Sequence, residues 1–489
     1  MIQFENIQFT YAGTVANEIG VKDIDFTIQT GECVLLCGRS GCGKTTLTKL
    51  INGLIPSYFP GNLSGNVKID NKDVLGTPMY QLAKVVGSVF QNPRTQFFNV
   101  DVDSEIAFGI ENAALPSEEL YQRLIDTLEI LKIRSLQGRN IFELSGGEKQ
   151  KVAFASVYAM TPNIFLLDEP SSNLDMASIE DLKSYLRVLK KQGKTILIAE
   201  HRIYYLMDIV DRIAYMKDGK IDTIYTPKEL QEIPEEKRKN MGLRTVDMKN
   251  IHPVSLDKKY QSPILFIKDV TLFYKKQLIL SHISLQASKG EIIGIIGPNG
   301  AGKTTFLRAL CGLHKEYTGH FFWQGHVQKE EDRMKLSYMV MQDVNYELFA
   351  DSVETECSLG IRNADSELIE KTLDKLNLLA VRKRHPNTLS GGQKQRVAVA
   401  VSMICGKEVL VFDEPTSGLD YDSMNQVSEL IKELAKSKII FVVTHDYEFI
   451  CQACTRILHF DHQTITNDFQ LSKKNEKSIW KLMDVGRDE

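Results

Sequence analysis

Short aliphatic and β-branched runs punctuate this chain, and each stops at a polar or glycine residue. VLLCG (Val34 to Gly38) and IIGIIG (Ile292 to Gly297) lead straight into glycine-rich loops, and IFLLD, VLVFD, TILIAE and IIFVVT follow further along. Five or six residues long with their polar or glycine ends, they predict strands buried on both faces, with helical stretches between them. VGSVF and LSYMVM end in the same way just before Gln91 and Gln342. This alternation predicts a mostly parallel α/β sheet, a class in which ligands sit at the carboxyl ends of the strands.

The pattern occurs twice. CGRSGCGKTTL (Cys37 to Leu47) recurs as IGPNGAGKTTF, ELSGGEKQKVA (Glu143 to Ala153) as TLSGGQKQRVA, and FLLDEPSSNLD (Phe165 to Asp175) as LVFDEPTSGLD. The offset is 259 residues at Lys44/Lys303 and 245 at Ser145/Ser390 and Asp168/Asp413, so the second copy is 14 residues shorter between those points. Two domains are therefore expected, 1–226 and 263–489. The stretch 227–262 between them is proline-punctuated, of mixed charge and without apolar periodicity, and reads as a linker or extended strap.

Composition narrows the classes. With 489 residues, 43% of them hydrophobic and 25% charged, and a net charge of -4, the chain is neither disordered, collagenous nor a disulfide framework. The near-neutral balance leaves no basic footprint for nucleic acid, which is not an expected partner. The longest apolar run, Val397 to Cys405, falls far short of the roughly 18 to 20 residues that cross a bilayer. The start, MIQFENIQFTYAG, has no apolar core of a secretory signal, so a cytoplasmic protein is expected. Eight scattered cysteines read as buried thiols, and Cys451-x-x-Cys454 has no second pair at metal-binding spacing.

The repeated motifs carry phosphate chemistry. G-x-x-x-x-G-K-[ST] spans Gly38 to Thr45 and Gly297 to Thr304, each between a strand and a helix. Its glycines (Gly38, Gly41, Gly43; Gly297, Gly300, Gly302), with Ser40, Asn299, Thr46 and Thr305, turn backbone N–H groups around phosphate oxygens. Lys44 or Lys303 reaches the β/γ-phosphates, and Thr45 or Thr304 supplies a magnesium ligand. Asp168 and Asp413 end apolar strands and are placed to hold magnesium; Glu169 and Glu414 follow, placed to orient the attacking water. A strand-end Asp-Glu pair can also be a helix cap. Its fixed place 23 residues after each LSGG serine favours catalysis. His201 and His445 end the next strand, where an imidazole is either a satisfied polar group or a donor to the γ-phosphate or water. Gln91 and Gln342 are either solvent-exposed or meet magnesium and the attacking water.

Ser145-Gly146-Gly147-Glu148 and Ser390-Gly391-Gly392-Gln393, each after a leucine, present a second phosphate-binding helix start that an ordinary P-loop enzyme does not need. On these motifs the chain resembles two ATP-binding cassette (ABC) nucleotide-binding subunits joined in one polypeptide. The resemblance implies two tandem P-loop NTPase domains, each a mostly parallel sheet with a β-subdomain and a helical subdomain, binding ATP and Mg2+. It also implies two composite sites. One joins Lys44, Thr45, Gln91, Asp168, Glu169 and His201 to the Ser390 segment, and the other joins Lys303, Thr304, Gln342, Asp413, Glu414 and His445 to the Ser145 segment. Asp175 and Asp420 match the family's inter-subunit loop, and Tyr11 and Tyr274 resemble its adenine-stacking aromatic, although a tyrosine on a β-ribbon is as often a packing residue. No motif is degenerate, so both sites are expected to hydrolyse ATP.

QNPRTQFFNVDVDSEIAFGIEN (Gln91 to Asn112) and Ala199-Glu200-His201-Arg202 resemble energy-coupling factor (ECF) importers of vitamins and metals. The second copy keeps the frame at an offset of 251 (Phe98/Phe349, Val102/Val353, Glu105/Glu356, Gly109/Gly360, Asn112/Asn363) but lacks Asn-Pro. Phe97, Phe98, Leu348 and Phe349 are expected either to be exposed as a groove for a partner's helix or to pack under their own loop. The resemblance implies a peripheral subunit on the cytoplasmic side of the cell membrane, touching it only through a transmembrane coupling subunit and a substrate-binding membrane subunit. The alternatives are the ATPase pair of a sugar importer and a soluble tandem ATPase acting on ribosomes, whose linker would be a long basic hairpin. A DNA-repair cassette would need coiled-coil heptads that do not appear.

Overall fold

Each of the apolar runs read as a strand contributes a strand of a central sheet. A computed structural model describes residues 1–12, 19–172, 174–254, 262–361, 364–389 and 391–483, in two compact units. One is Met1–Asp247 with the short segment Asp420–Asp422; the other is Met248–Leu419 with Ser423–Glu489.

In the first unit the sheet runs Lys220–Tyr225, Arg212–Lys217, Cys33–Gly38, Thr195–Ala199, Ile164–Asp168, Val86–Val89 in spatial order, parallel except for the first strand. In the second the order is Ser337–Val340, Val409–Asp413, Ile439–Val443, Ile292–Ile296, Arg456–Asp461, Thr464–Gln470, parallel except for the last. The predicted IFLLD and VLVFD strands have the same bounds in the structure. TILIA and IIFVV each end one residue before the predicted polar stop, because Glu200 and Thr444 already belong to the loops beyond.

A four-stranded antiparallel sheet accompanies each parallel one: Ile19–Ile28, Ile2–Tyr11, Gly61–Ile69, Lys72–Asp73 in the first unit, and Gln277–Ala287, Leu265–Tyr274, Tyr317–Trp323, His326–Val327 in the second. Side chains from this sheet, the central sheet and the helix after the glycine loop form one core in each unit. In the second unit Phe306 on that helix lies fully buried, its ring centroid 5.2 Å from Phe460 and 6.4 Å from Phe441. The helical parts are Val102–Glu111, Ser117–Ile130 and Gly146–Ala159, matched by Val353–Ser358, Ser366–Lys375 and Gly391–Ile404.

The described part of 227–262 is not extended. Thr226 and Glu229 form a capping box that opens the helix Pro227–Glu232, and Glu235–Asn240 follows. Leu230, Arg238 and Leu243 are buried, and the Tyr215 hydroxyl donates to the Met241 carbonyl at 3.1 Å. Helices of so few residues are too short to show apolar periodicity, and only the first carries a sequence signal, the T-x-x-E spacing of Thr226 and Glu229.

Phe306→Ala should cost about 3–5 kcal/mol, the usual toll of emptying an aromatic site in a packed core. Leu313→Ala, on an exposed side chain, should stay within about 0.5 kcal/mol. Calorimetric unfolding checks the pair, and equal effects would contradict the core described above.

Candidate functional site

Both glycine loops are shaped by backbone that only glycine tolerates. Gly38 (φ 146°) and Gly297 (φ 142°) pass so close to the next strand that an added Cβ would run into the Met216 or Phe460 carbonyl. Gly43 (φ 104°) and Gly302 (φ 89°) then cap the helices Lys44–Ile51 and Lys303–Leu310 in the left-handed conformation. The buried Lys44 ammonium donates to the Gly38 and Arg39 carbonyls at 3.1 Å each, and Lys303 to Gly297 and Pro298 at 2.7 and 2.9 Å. An ammonium held inside a loop at a helix N-terminus makes a strong anion site.

The strand-end aspartates face these helices. Thr45 Oγ1 donates to Asp168 Oδ1 at 2.9 Å, and Thr304 Oγ1 to Asp413 Oδ2 at 2.8 Å. Burial, reinforced by the neighbouring Glu169 charge, pushes the Asp168 carboxyl up to about 6, and burial raises Asp413 as well. A hydroxyl beside a carboxylate is a hard-oxygen donor set that suits magnesium, which takes one or two protein ligands and completes its shell with water and phosphate oxygens. Among the described residues no cluster of three His, Cys, Asp or Glu could hold a metal alone. The residues therefore fit a magnesium ion that arrives with a nucleotide.

The second acids stand in a strained backbone. Glu169 (φ 47°) and Glu414 (φ 53°) are left-handed, which costs a non-glycine residue about 1–3 kcal/mol. Their N–H groups donate across the sheet to Ala199 at 2.7 Å and Val443 at 2.9 Å, which holds the turn. In the first unit the Glu169 carboxylate accepts from Gln91 Nε2 at 2.6 Å and lies 3.4 Å from His201 Nε2. In the second, His445 Nε2 is 3.7 Å from Glu414 Oε1. Gln342 follows the strand Ser337–Val340, as Gln91 follows Val86–Val89. A carboxylate flanked by imidazole and amide beside a phosphate cradle can orient a water for in-line attack.

Of the other predicted residues, Ser145 caps the helix Gly146–Ala159: its Oγ accepts the Glu148 N–H at 3.3 Å, and Glu148 returns the bond to the Ser145 N–H at 2.8 Å. Gly391, Gly392 and Gln393 open the matching helix, while Ser390 lies outside the described residues. Tyr11 packs edge-on against Phe9 with its hydroxyl 3.1 Å from Thr46 Oγ1, whereas Tyr274 is exposed.

The four apolar groups after the glutamines do not behave alike. Phe98 is 76% exposed and stacks on Phe108 at 5.0 Å; Phe349 is 72% exposed, and Leu359, which matches Phe108 in the repeated frame, is 54% exposed. Leu348, only 4% exposed, is buried, and Phe97 is half-buried, so of the two outcomes expected, exposure holds for Phe98 and Phe349 alone. The reason is a buried carboxylate that pulls each loop inward. Glu105 Oε2 accepts the N–H groups of Phe98 and Asn99 at 3.0 and 2.8 Å, and Glu356 Oε2 those of Phe349 and Ala350 at 2.7 Å each. These glutamates have no motif of their own; their constant place in the repeated frame was their signal.

A family model described as ABC transporter matches residues 21–172 and 280–417. The chain belongs to the ABC transporter family. It carries two tandem ABC ATPase domains, and the domains of this family bind ATP with Mg2+. It is 50% identical over 483 residues to a protein of Treponema denticola, provisionally named an ABC transporter ATP-binding protein, covering 97% of this chain and 98% of that one. A Methanosarcina mazei protein with the same provisional name is 31% identical, over 96% of this chain and 95% of its own. Among solved structures, RNase-L Inhibitor shares the tandem fold at a TM-score of 0.66, with 20% identity, over 98% of this ABC ATPase and 93% of that chain.

Because the folded carboxyl of Asp168, at about 6, lies above its ordinary 3.8, the native state holds a proton there that the unfolded chain releases, and stability falls as pH rises through this window. Asp168→Asn should therefore raise thermal stability near pH 7.5 by about 1–3 kcal/mol and change little near pH 4. Equal shifts in thermal unfolding at the two pH values would contradict a perturbed Asp168.

Proposed function

We propose that the chain is the ATP-hydrolysing energy-coupling subunit of an ECF-type importer, powering uptake of a small nutrient through separate membrane subunits. The observation that carries this reading is the exposed apolar group after each Gln loop, Phe98 stacked on Phe108 in the first copy and Phe349 in the second, each with its backbone N–H bound by a buried glutamate. Large apolar groups kept in solvent by a dedicated carboxylate suit an apolar helix from a partner. The ECF-like segment Gln91 to Asn112 supports the same reading. Among the described residues no helix is long and apolar enough to cross a membrane, so the proposed path belongs to a transmembrane coupling subunit and a substrate-binding membrane subunit. The chain would then sit peripherally at the cytoplasmic face. The proposed domains are 1–226 and 263–489, joined through 227–262.

In the proposed cycle Lys44 and Lys303, with the loop N–H groups, bind the phosphates of ATP, and Tyr11 and Tyr274 lie toward the base. Thr45 with Asp168, and Thr304 with Asp413, would hold magnesium together with Gln91 and Gln342; when bound, the ion offsets charge on the phosphate oxygens. Glu169 and Glu414 accept the proton of the attacking water, while His201 and His445 donate to the γ-phosphate. The Ser145 and Ser390 segments each complete the site of the opposite copy. ATP draws the copies together, and loss of phosphate removes those bonds.

Glu169→Gln combined with Glu414→Gln should lower ATP turnover by about 10²- to 10⁴-fold while nucleotide binding persists. Unchanged turnover would defeat the water-activating assignment. Phe98→Asp with Phe349→Asp should release co-purifying membrane proteins without loss of ATP binding. Retention of those proteins would defeat the docking role of Phe98 and Phe349, whereas recovery of ribosomal proteins in their place would favour the soluble tandem reading.

A further inference from the structure

We infer that Glu200 is a positioning residue for ATP hydrolysis in the first copy, performing the task that Asp446 performs in the second. The inference rests on the hydrolytic reading of Glu169 and His201. Glu200 follows the strand Thr195–Ala199 and is 2% exposed. One oxygen of its carboxylate accepts the N–H groups of His201 and Arg202 at 2.8 and 3.0 Å. The other accepts the Ser171 N–H at 3.3 Å and the Tyr205 hydroxyl at 3.2 Å. A single buried carboxylate thus ties the histidine loop to the loop that follows Asp168 and Glu169. The Arg202 guanidinium reaches the same second loop, donating to the Leu174 carbonyl at 3.3 Å.

The second copy makes the same tie from another place in the sequence. There the residue before the histidine is Thr444, and the residue after it is Asp446 where the first copy has Arg202. Asp446 Oδ2 accepts the Thr416 hydroxyl at 2.8 Å, and Thr416 matches Ser171. Its other oxygen accepts the Phe449 N–H at 3.3 Å, and the Thr444 hydroxyl accepts the Asp446 N–H at 3.0 Å. Both acids are buried. Burying a carboxylate is costly unless its bonds are specific. Two copies that bury one at the same junction, from opposite sides of the histidine, indicate a demand of the junction and not an accident of one loop. That junction fixes the spacing of the imidazole and the Glu169 carboxylate, 3.4 Å apart in the first copy, and small misplacements of such groups are expensive in rate.

The test uses the full chain carrying Glu414→Gln, so that turnover reports the first copy. Glu200→Thr alone should lower kcat by about ten- to hundredfold with KM for ATP within about twofold. Adding Arg202→Asp, which writes the second copy's Thr-His-Asp order into the first, should recover most of the loss. Near-parental kcat in Glu200→Thr, or no recovery in a double variant that melts like the parent, would overturn the inference. Tyr205→Phe removes one donor to Glu200 and should lower kcat with KM unchanged; if Glu200→Thr fails to fold, an unaltered kcat in Tyr205→Phe overturns the inference in its place. Glu169→Gln in the same background tests the underlying reading separately: turnover that survives it defeats that reading, while the Thr-His-Asp exchange still judges Glu200.

Discussion

A parallel strand buried on both faces can carry charge only at its ends, and the rest of this molecule is arranged around that constraint. Ile164–Asp168 and Val409–Asp413 are buried along their apolar residues, and the first polar group each meets is the aspartate beside the glycine-loop helix. The neighbouring strands end the same way, at Glu200 and His201 in one unit and Thr444 and His445 in the other. Lysine, carboxylates and imidazole are thereby gathered on one edge of the sheet, beyond the apolar residues of the strands. Crowding acids at such an edge raises their proton affinity, as at Asp168, where burial and Glu169 act together. The cost is borne because a cation or a phosphate-bound ion reverses it.

The duplication lets one architecture be compared with itself. Some contacts are repeated residue for residue, such as Thr45 to Asp168 and Thr304 to Asp413, or Glu105 and Glu356 on their loops. Others keep the bond and change the group. Gln96 Oε1 accepts the Phe90 N–H at 3.4 Å, and at the matching place Glu347 accepts the Met341 N–H. Burial there, with the charge of Glu356 and Asp343 nearby, pushes the Glu347 carboxyl up to about 8, which favours its neutral form near neutrality. Glu200 and Asp446 go further and change the sequence position as well. What is preserved is the bond at the junction.

Much of this was legible in the sequence because it depends on local pattern. Unbroken apolar runs marked the central strands, and glycines with positive φ marked the phosphate loops. The motif order located Lys44, Asp168, Glu169 and His201, which the fold then brings together. The rest depended on which face of a loop points inward, and that is decided by distant partners. Leu348 turns in while Phe349 turns out, because Glu356 binds the backbone between them and the next helix. Tyr11 could be read as a stacking or a packing residue, and its contacts with the Phe9 ring and the Thr46 hydroxyl were not visible in either reading. The left-handed backbone of Glu169 and Glu414 was also invisible, since nothing in the residue type announces it.

That strain has a consequence for how chemistry could reach a partner. The turn at Glu169 aims its carboxylate at Gln91, 2.6 Å away, and Gln91 begins the segment that ends in the exposed Phe98. Between them Gln96 donates to the Ala153 carbonyl at 3.2 Å, on the helix that Ser145 caps, and Glu105 fixes the far end. Seven residues therefore join the candidate water-activating group to the apolar ledge, tethered at both ends and in the middle. The bonds of Gln96 and of the buried Glu105 leave the backbone of this segment few alternatives. A ledge so tethered is held in register with the site.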